Sequence, residues 1–176
     1  MRKKYLGPAE KKELLDKAII TGDFVLASGQ RVAQKFDFDL IDTNTDLFRS
    51  IVTGLGACVR DNYQDFNGIV TIANGATRLG EPLSELLGVK HVATAYTIDG
   101  NGEKRFSVLP VKGANRVIAI DDVFTKGTNT TKVAKAARQH GIEVVGVSVV
   151  LDRSGLSMPT IMGGTAVASL VQYQLN

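Results

Sequence analysis

Three short apolar bursts dominate the pattern of the chain: Gly68-Ile69-Val70-Thr71-Ile72-Ala73, Val117-Ile118-Ala119-Ile120 and Val144-Val145-Gly146-Val147-Ser148-Val149-Val150-Leu151. Each is rich in β-branched residues and nearly continuous, as strands covered on both faces of a parallel sheet require. Between them the apolar period becomes helical, at about Glu81 to Leu87 and Thr130 to His140. Upstream, Leu14, Leu15, Ala18 and Ile19 repeat at helical spacing and predict a helix from Pro8, a residue suited to a first turn, through Ile20, with Gly22 as its stop. Leu47, Ile51, Leu55 and Val59 mark a second stripe from about Asp46, despite Gly54 and Gly56, which cost about 1 kcal/mol each in a helix. Phe24-Val25-Leu26 and Phe36-Asp37-Phe38-Asp39-Leu40 predict strands, the second alternating apolar with acidic. The alternation predicts an α/β, doubly wound fold: a mainly parallel sheet with helices on both faces and its site at the carboxyl ends of the strands.

At 176 residues, with neither repeat nor linker, residues 1–176 are expected to form a single domain. No run of about 18 apolar residues occurs, and Met1-Arg2-Lys3-Lys4-Tyr5 precedes no apolar signal core, so a soluble, cytoplasmic protein is expected, without a membrane partner. One cysteine, Cys58, excludes an internal disulfide and a cysteine-rich zinc site. Two histidines, His91 and His140, are too few for an imidazole cage, which leaves a hard, oxygen-bound ion such as magnesium. The net charge of +3 is spread along the chain and makes no case for nucleic acid. It is compatible with a small anionic ligand.

The segment richest in chemistry runs Val117-Ile118-Ala119-Ile120-Asp121-Asp122-Val123-Phe124-Thr125-Lys126-Gly127-Thr128-Asn129-Thr130. An apolar strand leads into two carboxylates, and a Thr- and Gly-rich loop then opens a helix. Neighbouring strand residues face opposite ways, so Asp121 and Asp122 share one ligand only if the strand ends there, and the loop predicts that end. With Gly127 free to take a positive φ, the amides of Lys126 to Asn129 can form a nest at the helix N-terminus, suited to a phosphate monoester, and Thr125, Thr128 and Thr130 add hydroxyls. Carboxylates would repel a bare phosphate, so they suit the hydroxyls of the same ligand, or magnesium, as in a ribose 5-phosphate. The alternative is an acidic pair capping a turn before an ordinary helix start. Neither a Walker A loop nor a Gly-x-Gly-x-x-Gly fingerprint is present.

Four apolar residues, two acids, an apolar pair and Thr-x-Gly-Thr closely resemble the phosphoribosyl diphosphate signature of type I phosphoribosyltransferases. Other segments are most similar to the orotate phosphoribosyltransferases: Phe24-Val25-Leu26-Ala27-Ser28-Gly29 followed by Phe36-Asp37, the diphosphate loop Gly75-Ala76-Thr77-Arg78-Leu79-Gly80, and Leu151-Asp152-Arg153 followed by Gly163-Gly164 and Val167-Ala168-Ser169-Leu170. The resemblance implies that Asp121 and Asp122 hold the ribose hydroxyls and that Thr125, Lys126, Gly127, Thr128 and Asn129 bind the 5-phosphate. Thr125 and Arg153 would also touch orotate, Arg153 offering a planar fork to its carboxylate. Ala27 and Phe36 would line the base site. Arg78, Lys104 or Arg105, with Mg2+ carried by the substrate, would neutralise the departing diphosphate. A small hood from the N- and C-terminal segments, and a homodimer, are implied as well.

The chain also departs from that pattern. Where the family carries a mobile loop with an Arg-Lys pair, a further Lys and His-Gly, this sequence has the shorter Tyr96-Thr97-Ile98-Asp99-Gly100-Asn101-Gly102-Glu103-Lys104-Arg105-Phe106, whose Asp99-Gly100-Asn101-Gly102 reads equally well as a hairpin turn. Leu79 replaces a lysine of the diphosphate loop, Val32 a serine, and Gln34 and Lys35 aromatic residues near the base. The expected activity is transfer of ribose 5-phosphate from phosphoribosyl diphosphate to orotate. The alternatives are transfer to another nucleobase, or a non-catalytic regulator that binds phosphoribosyl diphosphate.

Overall fold

The three apolar bursts become inner strands of one sheet. The computed structural model describes residues 5–25, 31–161 and 163–174. In chain order the elements are α1 (Pro8–Ala18), β1 (Ile19–Val25), β2 (Arg31–Phe36), α2 (Asp46–Asn62), β3 (Gly68–Thr71), α3 (Gly80–Leu87), β4 (Lys90–Ile98), β5 (Lys104–Leu109), β6 (Arg116–Phe124), α4 (Thr128–Arg138), β7 (Glu143–Asp152) and β8 (Val167–Gln172), with 3-10 turns at Phe38–Leu40 and Thr77–Leu79. The main sheet has the order β5-β4-β3-β6-β7-β8 and is parallel except for β5, which pairs antiparallel with β4.

Period-2 alternation along β6 sorts the interior into two layers. Ile118 and Ile120 enter a core shared with Leu14 of α1, Ile51 and Leu55 of α2 and Leu83 of α3, while Val117 and Ala119 enter a second core with Val133 and Ala137 of α4. Helices therefore cover both faces. The buried stripe of α2 contains Leu47, Ile51, Leu55 and Val59, and its glycines have packing reasons: a Cβ on Gly54 would lie 2.7 Å from the Tyr5 carbonyl oxygen. The hydroxyl of Tyr63, just past α2, donates to the Val147 carbonyl (2.5 Å) and accepts from the Val147 amide (3.3 Å), with the Ala166 carbonyl 3.0 Å away, tying the end of α2 to the sheet.

The N-terminal region differs from its sequence pattern. Helix α1 stops at Ala18, and Ile19 to Val25 form a strand, so Gly22 lies within β1 and does not end a helix. Ile19 and Ile20 are β-branched and find partners in Phe36 and Lys35 of β2, a tertiary pairing that outweighs helical periodicity. The predicted strand Phe36 to Leu40 likewise breaks after Phe36. The Asp37 carboxylate accepts from the Asp39 amide (3.2 Å) and turns Phe38–Leu40 into a 3-10 turn, which brings the rings of Phe36 and Phe38 to 6.4 Å while leaving Leu40 exposed. The antiparallel pair β1–β2 is the hood. Of the two terminal segments expected in it, the C-terminal one joins the main sheet as β8, parallel to β7. The open question at 96–106 resolves as a hairpin: β4 and β5 pair from Ala93↔Leu109 to Ile98↔Lys104, joined by a turn at 99–103. Among the described residues, no helix is long and apolar enough to cross a membrane.

Leu55 is fully buried where α2 meets the sheet. Leu55→Ala should lower the unfolding free energy by about 2–5 kcal/mol, read as a lower urea midpoint with an unchanged slope.

Candidate active site

Strands β3 and β6 are neighbours, but their connections leave in opposite directions, β3 through α3 to β4 on one side and β6 through α4 to β7 on the other. A cleft at the carboxyl ends of such a pair is the usual ligand site of an open α/β sheet. Here β3 pairs with β6 only as far as Thr71↔Ile120, whereas β7 follows β6 to Phe124↔Asp152. The strand therefore runs past both acids, contrary to the expectation that it ends at them, and the carboxylates face opposite sides of the sheet. Asp121 points toward α4, its Oδ2 accepting from Thr130 Oγ1 at 3.3 Å. Asp122 points toward the 73–77 loop, where a Cβ on Gly75 would stand 2.4 Å from its carboxyl group. Only glycine lets that loop cross so close.

Burial pushes the carboxyl of Asp121 well above its ordinary range, and the like charge of Asp122 adds to the effect. Burial also raises Asp122, against hydrogen bonds from the Asp121 side chain and the Val123 amide, the latter at 2.8 Å. Neither acid has a Lys or Arg partner among the described residues.

The loop after β6 leaves the N-terminus of α4 without a side-chain cap. Gly127 is the N-cap of α4 with φ +69° and supplies no capping side chain, and the first turn contains no acid. The leading N–H groups of a helix have no acceptor within it, and the macrodipole adds partial positive charge there. Thr125, Lys126 and Thr128 are exposed around this end and Asn129 is half-buried, so all five predicted phosphate residues lie together beside Asp121 and Asp122. A Cβ on Gly127 would meet the Phe124 ring at 2.7 Å, so its φ and its packing both require glycine.

A second set of free donors lies across the cleft. In the 73–77 loop, Ala73 N–H donates to Thr94 Oγ1 (3.0 Å), Ala76 N–H to the Ile72 carbonyl (3.2 Å) and Thr77 N–H to the Asn74 carbonyl (3.0 Å). Among the described residues the N–H groups of Asn74 and Gly75 find no acceptor. Arg153 stands at the end of β7, its amide donating to the Phe124 carbonyl at 2.8 Å, next to Thr125. Its Nε is buried without a partner, burial lowers its pKa, and no described carboxylate pairs with it. A half-buried guanidinium without an acid is prepared for an incoming one.

Other predicted residues lie elsewhere or are engaged. Arg78, expected at the diphosphate, turns to the hood: Nη1 and Nη2 donate to the carbonyls of Ile41 (2.7 Å) and Phe38 (2.5 Å), Nε lies 3.4 Å from Asp39, and the guanidinium sits 5.3 Å from the centroid of the Phe38 ring. Phe36 is buried against Phe38 as core. Arg105 pairs with Asp99 at 3.0 Å within the hairpin. Lys104 instead rests its Nζ 4.1 Å from the centroid of Tyr96. Ala27 lies outside the described residues. Sequence reasoning missed the contacts of Asn74, Thr94 and Tyr96 and the close approach of Gly75 to Asp122. A glycine opening a strand-to-helix loop was the one available signal. A groove of about 1360 Å3 follows the outer edge of β8, lined by Leu15, Leu170 and Tyr173, but it holds none of these acids or anion-binding loops.

No protein-family model matches the chain. The orotate phosphoribosyltransferase of Pyrococcus horikoshii is 30% identical over 141 residues, 75% of this chain and 71% of that protein. That of Archaeoglobus fulgidus is 28% identical over 136 residues, covering 77% and 75% respectively. Among solved structures, the orotate phosphoribosyltransferase from Aeropyrum pernix shares the fold, with a TM-score of 0.71 and 22% identity over 91% of this chain and 92% of that one.

The raised Asp121 carboxyl has a consequence for stability. The folded state holds its proton more tightly than the unfolded chain does, so ionising it costs stability as pH rises above the ordinary carboxylate value of about 4. Asp121→Asn should therefore melt at a higher temperature than the native chain at pH 7, with the gap closing as pH falls to about 4, as read by thermal denaturation across that range.

Proposed function

The chain belongs to the orotate phosphoribosyltransferase family, and we propose that it transfers the ribose 5-phosphate unit of phosphoribosyl diphosphate to orotate. The bond from the sugar's anomeric carbon to the diphosphate oxygen breaks with its electron pair, a bond from a ring nitrogen of orotate forms, and that nitrogen's proton leaves. The reading is supported by one observation: an uncapped helix N-terminus at Gly127 stands beside two carboxylates, Asp121 buried and Asp122 half-buried, with no cationic partner among the described residues.

In this reading the amides and hydroxyls from Thr125 to Asn129 hold the 5-phosphate, and Asp121 and Asp122 hold the ribose hydroxyls. Because the acids face opposite sides of β6, each takes its own contact, Asp121 from the α4 side and Asp122 from the side of the diphosphate loop. The N–H groups of Asn74 and Gly75 take diphosphate oxygens, and Arg153 takes the orotate carboxylate. The sugar becomes cationic as the bond to diphosphate breaks, and the work of the protein is to orient the two reactants and stabilise the separated charge. No protein nucleophile is required.

Among the described residues no group of three or more His, Cys, Asp or Glu forms a metal cage. Of the two acids, Asp122 faces the 73–77 loop, and its hard oxygens fit magnesium arriving with the diphosphate, which when bound would offset the leaving group's negative charge. The single domain over 1–176 and the homodimer implied by the family resemblance belong to the same proposal.

The test is an assay of orotate consumption with phosphoribosyl diphosphate and magnesium, with adenine and uracil as parallel bases. Orotate should be consumed, and turnover of another base alone would overturn the substrate assignment. Asp122→Asn should fold normally by circular dichroism and lose roughly 10- to 100-fold in kcat/KM, the worth of one charge-assisted hydrogen bond.

A further inference from the structure

The β4–β5 hairpin touches both anion-binding ends of the cleft. On one side, alternate residues of β4 face the diphosphate loop: Thr94 Oγ1 accepts from Ala73 N–H and donates to the Thr71 carbonyl (2.7 Å), and the Tyr96 hydroxyl accepts from Asn74 Nδ2 at 3.3 Å. On the other, Lys132 of α4 donates from Nζ to the Lys104 carbonyl (3.3 Å) and to the Glu103 carboxylate (3.2 Å). Tyr96 stands where these contacts meet. Its ring packs on Phe106, the residue opposite it in the hairpin, with centroids 5.6 Å apart, and carries the Lys104 ammonium 4.1 Å from its own centroid.

We propose that Tyr96 is a positioning residue for the leaving diphosphate: its hydroxyl fixes Asn74, and its ring fixes Lys104, so that the two free N–H groups of the loop and one ammonium converge on the same anion. Two features select Lys104 over its neighbour Arg105. Arg105 is neutralised by Asp99 within the turn, and Lys104 has no acidic partner among the described residues. The hairpin is then a fixed arm, anchored by Thr94 at one end and Lys132 at the other. The reacting groups remain those already assigned, so the inference rests on the transferase reading but adds to it the tyrosine and the lysine that set where the leaving group sits.

The test separates the hydroxyl from the ring. Tyr96→Phe should raise the KM for phosphoribosyl diphosphate by about 3- to 10-fold, the effect of one hydrogen bond, while kcat and the KM for orotate change less than about twofold. Tyr96→Ala should weaken it further. Lys104→Met should cost affinity in the native and Tyr96→Phe backgrounds, and much less in Tyr96→Ala, because the ring and not the hydroxyl holds the ammonium. Calorimetric binding of magnesium diphosphate and of phosphoribosyl diphosphate to the full chain reads the same series without any base. If the native chain binds both but turns over no orotate, the transferase reading fails and the binding series still decides on Tyr96. Unchanged diphosphate affinity in Tyr96→Phe and Tyr96→Ala, or equal losses toward orotate and diphosphate, would overturn the proposal.

Discussion

Past Ile120, strand β6 keeps one hydrogen-bonded neighbour and loses the other. Everything at the site follows from that asymmetry. Because β3 turns away after Thr71, one edge of the Asp121–Phe124 segment is left open, and because β7 stays paired, the same segment remains extended and rigid. A strand supported on one side can present both of its faces to a ligand. Asp121 then lies against α4 and Asp122 against the glycine of the opposite loop, and the turn into α4 begins just after Phe124, where the pairing ends.

The cleft is electrostatically divided. Helix α4 and the 73–77 loop leave neutral N–H donors free, the Arg153 guanidinium lies beside Thr125 without an acid, and the two acids sit between them without a cationic partner among the described residues. Burying adjacent carboxylates together is unfavourable for the free protein, which is why their proton affinities rise. The fold tolerates this because hydrogen bonds from Thr130, Val123 and the Asp122 amide already satisfy part of their acceptor capacity. What remains unsatisfied is the capacity a polyhydroxylated sugar would fill. Sites that sacrifice stability for recognition in this way are common.

The legible parts of the sequence were those whose structure is decided locally. Val117 to Ile120 form a doubly covered strand and Gly127 before three threonines begins a helix, so the strand, its turn and the helix start are visible without any tertiary knowledge. The stripe of α2 was read correctly through two glycines because four large apolar residues outweigh their cost. Where a distant partner decides, the pattern misled. Ile19 and Ile20 fit a helix until β2 offers them a ladder, and Phe36 to Leu40 alternate as a strand would but curl so that two rings enter one core. Arg78 lies in the diphosphate loop by sequence, yet two hood carbonyls capture its guanidinium, and nothing local to residue 78 announces Phe38 and Ile41. The contacts of Tyr96 are hidden for the same reason, since its partners Asn74 and Lys104 lie one on each side of it in the chain.

Parallel pairing also dictates when the cleft can exist. Gly68 aligns with Val117, and the whole of α3, β4 and β5 lies between them in the chain. Such a seam closes only after a large loop has been ordered, an event that loop-closure entropy makes slow compared with winding a helix or zipping the β4–β5 hairpin. The turn at Gly127, being contiguous, can form early, whereas the acids face a finished wall only once these remote strands meet. The complete cleft is therefore assembled late in folding, and a chain caught before that point would present only one of its two walls.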